Sequence, residues 1–504
     1  MPTLIQRCSR LATLSALATL AWLPGLVACS GGGSSTVVVA STGSVVVLVT
    51  DAPSDEFLQI PLTVTKVELL GAQGHVTLFE GRRELDLLSL RDDARLLALG
   101  REVPAGDWSK IRLHVDDVQL IRLVPDDAVE GEVVECPGEV DPDPGFVCEA
   151  ITPKLGGNGK LDLNPRGAIT VGAGEVVFIQ LDLDAIKSIW IHQSGNGRFM
   201  FRPVVFIDAF TQRAPDRLVR LEGTIREIDL AAQKVLLCRT HVVFRAGDEV
   251  ARQDEDDRSR CIDVRIGPDT SIFGDDGQPA LLSDLAVGDR LAALGRFRVG
   301  AGEDLVFDAL WIQQGGFDAS IAVTGEILEG VASGDDPLEF LLAPDPDGPI
   351  QAEELVVRLL EGAKIFARAG QPLFPSELEP GQRVRAFGVL VLSGGEPDRL
   401  DTSLVFVRAP DVAPVRLRGV VSVPFDSASG ELVINARSDV SVAPRCVALE
   451  PSDAVFRIVD TGDLLQSERI EPTQLAAGEI VDVYGVDTEP CFDAQTLISI
   501  GFSE

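Results

Sequence analysis

Apolar positions in this chain come in short runs, not in helical stripes. The stretches Gly43 to Thr50, Val64 to Leu70 and Lys110 to Val115 are rich in β-branched residues and bounded by Gly, Pro or Asp, the pattern of strands that fill a pleated surface. A helical period is nearly absent: only Asp92 to Leu99 and Asp182 to Ser188 have the spacing for a turn or two of helix. Edge and hairpin turns are expected at Pro104-Ala105-Gly106 and Gly195-Asn196-Gly197, where Gly, Pro and Asn supply the backbone angles. The chain reads as all-β.

One apolar run breaks the pattern. Leu11 to Leu23 follows Arg7 and Arg10; at about 1.5 Å per residue it is too short to cross a hydrocarbon core of roughly 30 Å with margin, and it reads as the core of a cleaved secretion signal. It closes on Leu26-Val27-Ala28-Cys29, small residues before a cysteine, which resembles the lipobox of bacterial lipoproteins. The resemblance implies a signal peptide over 1–28 and a lipidated thiol at Cys29. A signal cut elsewhere, or a signal anchor, is the competing reading. Residues 29–42 open with Ser30-Gly31-Gly32-Gly33-Ser34-Ser35, a composition that makes a flexible tether. Ser30 stands where such lipoproteins carry aspartate for inner-membrane retention, so the resemblance implies lipid anchoring in the cell envelope, at the outer membrane.

Charge narrows the partners. The chain carries 44 basic and 78 acidic residues, a formal charge of −34; loss of Arg7 and Arg10 with the signal takes this to −36. Nucleic acid is excluded as a natural partner, because a polyanion is repelled before any groove contact forms, and a peripheral hold on anionic lipid is disfavoured likewise. The membrane is reached through the anchor, and the expected partner is an envelope protein or a glycan of unknown identity. Cys8 leaves with the signal and Cys29 takes the lipid, so Cys136, Cys148, Cys238, Cys261, Cys446 and Cys491 remain. An even number in an exported protein points to disulfides. Of fifteen connectivities, sequential pairing keeps each bridge inside one unit, closing loops of 12, 23 and 45 residues worth roughly 3 to 4 kcal/mol apiece.

Residues 43–212 follow a recognisable order of elements. Thr50-Asp51-Ala52-Pro53 opens it, Val103-Pro104-Ala105-Gly106-Asp107-Trp108 leads into a central strand, and Leu181-Asp182-Leu183-Asp184 and Phe201-Arg202-Pro203-Val204 close it. This order resembles the bacterial lipoprotein domain DUF4382, of unknown function, and the resemblance implies an immunoglobulin- or prealbumin-like β-sandwich. The acidic insertion Pro125 to Pro153, with Cys136 and Cys148, departs from a minimal domain and reads as a stapled surface loop.

After residue 215 the chain repeats itself. Leu221-Glu222-Gly223, Val323-Thr324-Gly325 and Leu417-Arg418-Gly419 open three units over 217–315, 321–410 and 415–504, and Leu285 to Gly295, Leu378 to Gly388 and Leu475 to Gly485 recur near their ends. The opening glycines lie 102 and 94 residues apart, far beyond solenoid periods, so each unit is expected to have its own core. The units resemble DUF5666, also of unknown function, and the resemblance implies small five- or six-stranded OB- or SH3-like barrels. Closed barrels without exposed edges suit beads on a string.

Catalytic signatures are scarce. His75, His114, His192 and His241 have no metal-ligand or triad company. His114 alternates with Leu113 and Val115 and is expected on the solvent side. No G-x-S-x-G, H-E-x-x-H or Walker sequence occurs, so no enzyme is expected. Carboxylates cluster at Asp51, Asp55 and Glu56; Asp141 and Asp143; Asp254 to Asp257; Asp275 and Asp276; Asp345 and Asp347. Most read as solvated turns. Ala343 to Glu354 matches part of an EF-hand loop but has Ala343 at the first ligand position. Asp51, Asp55 and Glu56, in the family motif, are the candidate cation ligands, with calcium the candidate ion. Trp108, Trp190, Trp311 and Tyr484 sit in apolar strands, which favours core packing over a sugar platform. The expected function is non-enzymatic binding or scaffolding; the alternatives are a calcium-stiffened adhesive stalk and a hydrolase using a carboxylate pair.

Overall fold

Val45 to Val49 lie at the centre of the protein, and in a computed structural model all five are buried. Val45, Val47 and Val49 enter one core while Val46 and Leu48 enter another, as strand alternation requires of a strand covered on both faces. The structure describes residues 41–502 apart from 53–56, 138–143, 192–198, 216, 240–241, 244–250, 253–260, 301–304, 332–336, 347, 351, 368–369, 394–395, 409–414, 437–443 and 462–463. The signal segment, Cys29, Gly195-Asn196-Gly197 and the clusters at Asp141 and Asp254 lie outside the described residues. No described helix is long and apolar enough to cross a membrane.

The N-terminal sandwich has eight main strands: β1 (Thr42–Ala52), β2 (Pro61–Gly71), β3 (Gly74–Asp86), β4 (Ala94–Pro104), β5 (Gly106–Val118), β6 (Lys160–Asn164), β7 (Val176–Asp184) and β8 (Val204–Thr211). One sheet runs β8-β7-β1-β4, the other β3-β2-β5-β6. Between them pack Trp108, Ile111, Leu113, Leu69, Leu97 and Ile179. The insertion forms its own three-stranded sheet from Leu120–Pro125, Glu132–Val134 and Phe146–Ile151, stapled by Cys136–Cys148.

Two local expectations are corrected. Asp92 to Leu99 is not helical: from Ala94 it is β4, paired antiparallel with β1, and the helical turn falls earlier, at Leu87–Arg91, where the Asp86 carboxylate caps Leu88 N. Burial between two sheets overrides the weak helix preference of Leu and Ala. Pro104-Ala105-Gly106 is not a hairpin but a corner, carrying the chain from one sheet to the other. Asp182 to Ser188 is strand to Asp184, followed by a single α-turn, Ala185–Ser188.

The repeats form three barrels of one topology. Barrel one is β9 (Val219–Asp229), β10 (Lys234–Cys238), β11 (Cys261–Phe273), β12 (Arg290–Val299) and β13 (Leu305–Gln314). Barrel two is β14 (Ile321–Glu329), β15 (Glu339–Pro344), β16 (Leu355–Phe366), β17 (Arg383–Ser393) and β18 (Glu396–Arg408). Barrel three is β19 (Val415–Asp426), β20 (Glu431–Ala436), β21 (Arg445–Asp460), an inserted β22 (Leu465–Ile470), β23 (Ile480–Val486) and β24 (Phe492–Phe502). In each, the first strand pairs with the second and fourth, and the third and fifth run parallel, the Greek-key closure of an OB-type barrel.

The repeated residues have mechanical reasons. Leu285, Leu378 and Leu475 are buried in the barrel interiors. The turn glycine that follows each has positive φ, +102°, +85° and +92°, and its N–H donates to Ile225, Ile327 or Val421 of the first strand. A Cβ at Gly295, Gly388 or Gly485 would meet the carbonyl of Asp308, Asp401 or Asp493 at 2.2, 2.2 and 1.9 Å, so the fourth strand crosses the fifth only as glycine.

The units are not separate beads. Residues 41–504 form one compact unit. β4 continues into barrel one by parallel pairing of Ala94 and Arg95 with Val219 and Arg220. β6 continues into barrel three through β22, Leu161 opposite Leu465. Barrel two docks by side chains: Phe366, Phe387, Leu404 and Phe406 pack on Leu218, Phe273, Leu294 and Trp311 of barrel one. Eight large apolar side chains bury on the order of 10 kcal/mol of transfer free energy.

Candidate functional site

The parallel pair β1 and β7 brings the family motifs together. Thr50 lies opposite Asp182, and Asp51 opposite Leu183. Thr50 Oγ1 donates to Asp182 Oδ1 at 3.0 Å. Burial pushes the Asp182 carboxyl up, against that hydrogen bond, and Asp184 adds to the rise. Asp184 accepts the N–H of Lys187 at 3.0 Å and pairs with its ammonium, which lies 5.7 Å from the Tyr484 ring of barrel three. Of the candidate cation ligands, Asp51 is placed by its backbone, and Asp55 and Glu56 lie outside the described residues. The described carboxylates here have internal partners.

The outer face of the second sheet carries a charged stripe. Arg112 holds Asp162 through two hydrogen bonds, 2.6 and 3.0 Å. His114 Nε2 lies 2.9 Å from Glu68 Oε2, and Lys66 reaches the same carboxylate at 2.7 Å. Strand alternation does place His114 opposite Leu113 and Val115, but its ring closes on Glu68 instead of standing free in solvent. Burial raises the Glu68 carboxyl, while Lys66 and His114 outweigh it and hold the group below its ordinary value.

A buried seam of arginines and carboxylates, absent from the sequence expectations, joins three units. Arg220 Nε and Nη2 reach Asp93 Oδ2 at 2.9 and 2.5 Å; Asp93 is 0% and Arg220 4% exposed. The Arg220 guanidinium lies 3.5 Å from the Phe317 ring centroid. Asp92 takes Nε and Nη2 of Arg408 at 3.1 and 2.8 Å and Arg385 at 3.5 Å. Arg95 pairs with Glu222 at 3.1 Å. Burial raises the Asp92 carboxyl, but Arg408, Arg385 and Arg220 together hold it below the usual range. The signal that could have found this seam is charge inside apolar strands: Arg220 between Val219 and Leu221, Arg385 between Val384 and Ala386.

Other expected residues have structural partners. The cysteines join as Cys136–Cys148, Cys238–Cys261 and Cys446–Cys491. Asp345 of the EF-hand-like window accepts Arg383 Nη2 at 2.6 Å, with Asp347 outside the described residues, and Asp276 caps the N–H of Gln278. Trp108, Trp311 and Tyr484 are each at most 1% exposed; the Trp indoles donate to Pro104 O and Ser403 Oγ. His192 and His241 lie outside the described residues.

Residues 42–203, about a third of the chain, match the family model of a domain of unknown function, DUF4382. The matched span is the sandwich up to the start of β8. No curated protein and no solved structure matches the chain.

Proposed function

We propose that the protein is a non-enzymatic lipoprotein of the cell envelope, anchored through Cys29 at the outer membrane, whose sandwich and three DUF5666-like barrels act together as a rigid binding or scaffolding module. The observation that carries this reading is the continuity of structure across units: two sheets run unbroken from the sandwich into barrels one and three, and barrel two is locked on by an aromatic interface and by the Asp92–Arg408 pair. Such a body holds several exposed faces in fixed relation, which suits assembly of partners more than turnover of a substrate. The lipobox-like Leu26 to Cys29 and the charge of −34 support attachment by acyl chains, which supply about 0.8 kcal/mol per buried CH₂.

Two measurements test it. Cys29→Ser is expected to move the protein from the detergent-rich to the aqueous phase, or to leave an uncleaved precursor; unchanged partitioning refutes the anchor. The mature chain on beads is expected to retain a defined envelope protein or glycan, retention being lost when barrel two is deleted. Hydrolysis of a glycan array by the purified chain would overturn the non-enzymatic reading.

A further inference from the structure

The arginine seam continues past Glu222 to a second end. Beyond Arg95, β9 leaves the edge of β4, and there the carbonyl of Leu96 accepts Nη1 of Arg83, from β3, at 3.0 Å and Nη1 of Arg239, from barrel one, at 2.7 Å. Arg83 Nη1 also donates to Leu97 O, and its guanidinium lies 4.4 Å from the Phe79 ring centroid. Two guanidiniums from two units thus converge on one carbonyl oxygen.

Among the described residues, the charges along the seam do not balance. Arg83, Arg239, Arg95, Arg220, Arg385 and Arg408 face Glu222, Asp86, Asp92 and Asp93, six cations against four carboxylates. The surplus of two lies at the Arg83–Arg239 end. Asp93 is taken by Arg220, Asp92 by Arg408 and Glu222 by Arg95. Burial lowers Arg83 well below its ordinary value, and the charge that acts on it is Arg239. Burial lowers Arg239 to about 10, with Arg95 adding to the fall and Glu222 opposing it. Among the described residues, capping the β4 carbonyls uses only Nη1 of each fork, so Nε and Nη2 of both remain donors toward them.

We propose that Arg83 and Arg239 form a binding site for a dianionic tetrahedral oxyanion of the phosphate-monoester class. A phosphate monoester carries about −1.5 to −2 at neutral pH with three acceptor oxygens, which matches a surplus of two; a carboxylate neutralises one. Guanidinium forks suit such an anion because their planar donors engage two oxygens at once. The Leu96 carbonyl holds both forks in place before the ligand arrives, so little side-chain entropy is lost on binding. This site does not depend on the scaffold reading.

The test is calorimetric titration of the full-length, detergent-solubilised protein at constant ionic strength, with inorganic phosphate in one arm and glucose 6-phosphate in the other. One saturable site is expected, weakened at least tenfold by Arg83→Gln and by Arg239→Gln and unchanged by Arg82→Gln, an exposed neighbour paired with Glu84. Tighter binding of the sugar phosphate assigns an esterified source, and tighter binding of phosphate the free anion. Absence of saturable heat with either anion, or equal affinity in all variants, overturns the proposal. If the variants fail to fold, phenylglyoxal labelling of the unaltered protein decides: phosphate is expected to slow modification of Arg83 and Arg239 several-fold relative to Arg82, and equal rates overturn it.

Discussion

Cutting the Asp93–Arg220 pair is expected to loosen the joint between sandwich, barrel one and barrel two while sparing barrel three. Asp93→Asn leaves the Arg220 guanidinium, 4% exposed, beside Arg95 and Arg385 with no counter-ion in hydrogen-bond contact. Removing one partner of such a buried pair costs about 3–5 kcal/mol, because the other charge stays behind uncompensated. Arg220→Met is expected to cost a similar amount, since it strands Asp93 and empties the stack on Phe317, 3.5 Å away. The double variant strands neither charge, so its cost falls below the sum of the singles by about 2 kcal/mol or more. A chain of this size need not unfold in one step, so the measurement is native-state hydrogen exchange read by mass spectrometry on peptides of β4, β9 and β17. At 1.4 kcal/mol per tenfold, the singles should speed exchange there by roughly two to nearly four orders of magnitude. Peptides of β23 and β24 serve as the internal reference. Seam exchange within tenfold of wild type, or equal acceleration in barrel three, refutes the view that the pair locks the joint.

Gly388→Ala meets the Asp401 carbonyl at 2.2 Å, whereas Gly381→Ala has open space and only its φ of +85° to oppose it; the second should cost about 1–2 kcal/mol and the first clearly more, with a reversed order of melting temperatures counting against the barrel geometry. Asp86→Asn should stabilise the protein at pH 7, because burial raises the Asp86 carboxyl against the opposing Ile60 and Leu88 amides. A raised carboxyl burdens the fold from its unfolded pKa upward and in full above its folded pKa, so the gain should shrink as pH falls and vanish below about pH 4, where both states are protonated; a gain that persists at pH 3 in urea midpoints argues against this cause. Reductant should speed exchange in β10, β11, β21 and β24, which carry or adjoin Cys238–Cys261 and Cys446–Cys491, each bridge being worth roughly 3–4 kcal/mol. Exchange in the interior of cysteine-free barrel two should stay within threefold, and wholesale opening there would show that the barrels unfold as one.

The all-β class and the threefold repetition were legible because each rests on local rules. Strand runs carry their own spacing, and Gly288, Gly381 and Gly478 recur because the same turn recurs with the same φ sign. Docking was harder to read, since strand edges look alike in sequence whether they face water or another unit. Signals were nonetheless present: Val45 to Val49 has no polar face to give to solvent, and Phe366, Phe387 and Phe406 alternate out of a barrel whose interior is already filled by Val384, Ala386 and Val405. At the candidate site, Thr50 and Asp182 meet across 132 residues, a juxtaposition fixed by parallel pairing that no spacing rule contains.

One barrel topology is attached in three different ways, and the differences follow from small additions to the repeat. Between the third and fourth strands, barrel one has a two-residue bridge at Pro279–Ala280 and barrel two a single bridge at Pro372, too short to reach another sheet. Barrel three extends the same element to the six residues of β22, which pair with β21 on one side and with β6 on the other. Backbone pairing of this kind fixes register, because a slip by one residue turns every side chain to the wrong face. Barrels one and three are therefore held in orientation by the ladder itself. Among the described residues, barrel two has no strand paired outside its ring, and its placement rests on the packing of four of its side chains, on the Trp311–Ser403 and Arg296–Gly370 hydrogen bonds to barrel one, and on Asp92 with Arg408 and Arg385. It is the unit whose orientation point substitutions can change, and the place where evolution could alter which faces the assembly presents while leaving the rest of the body intact.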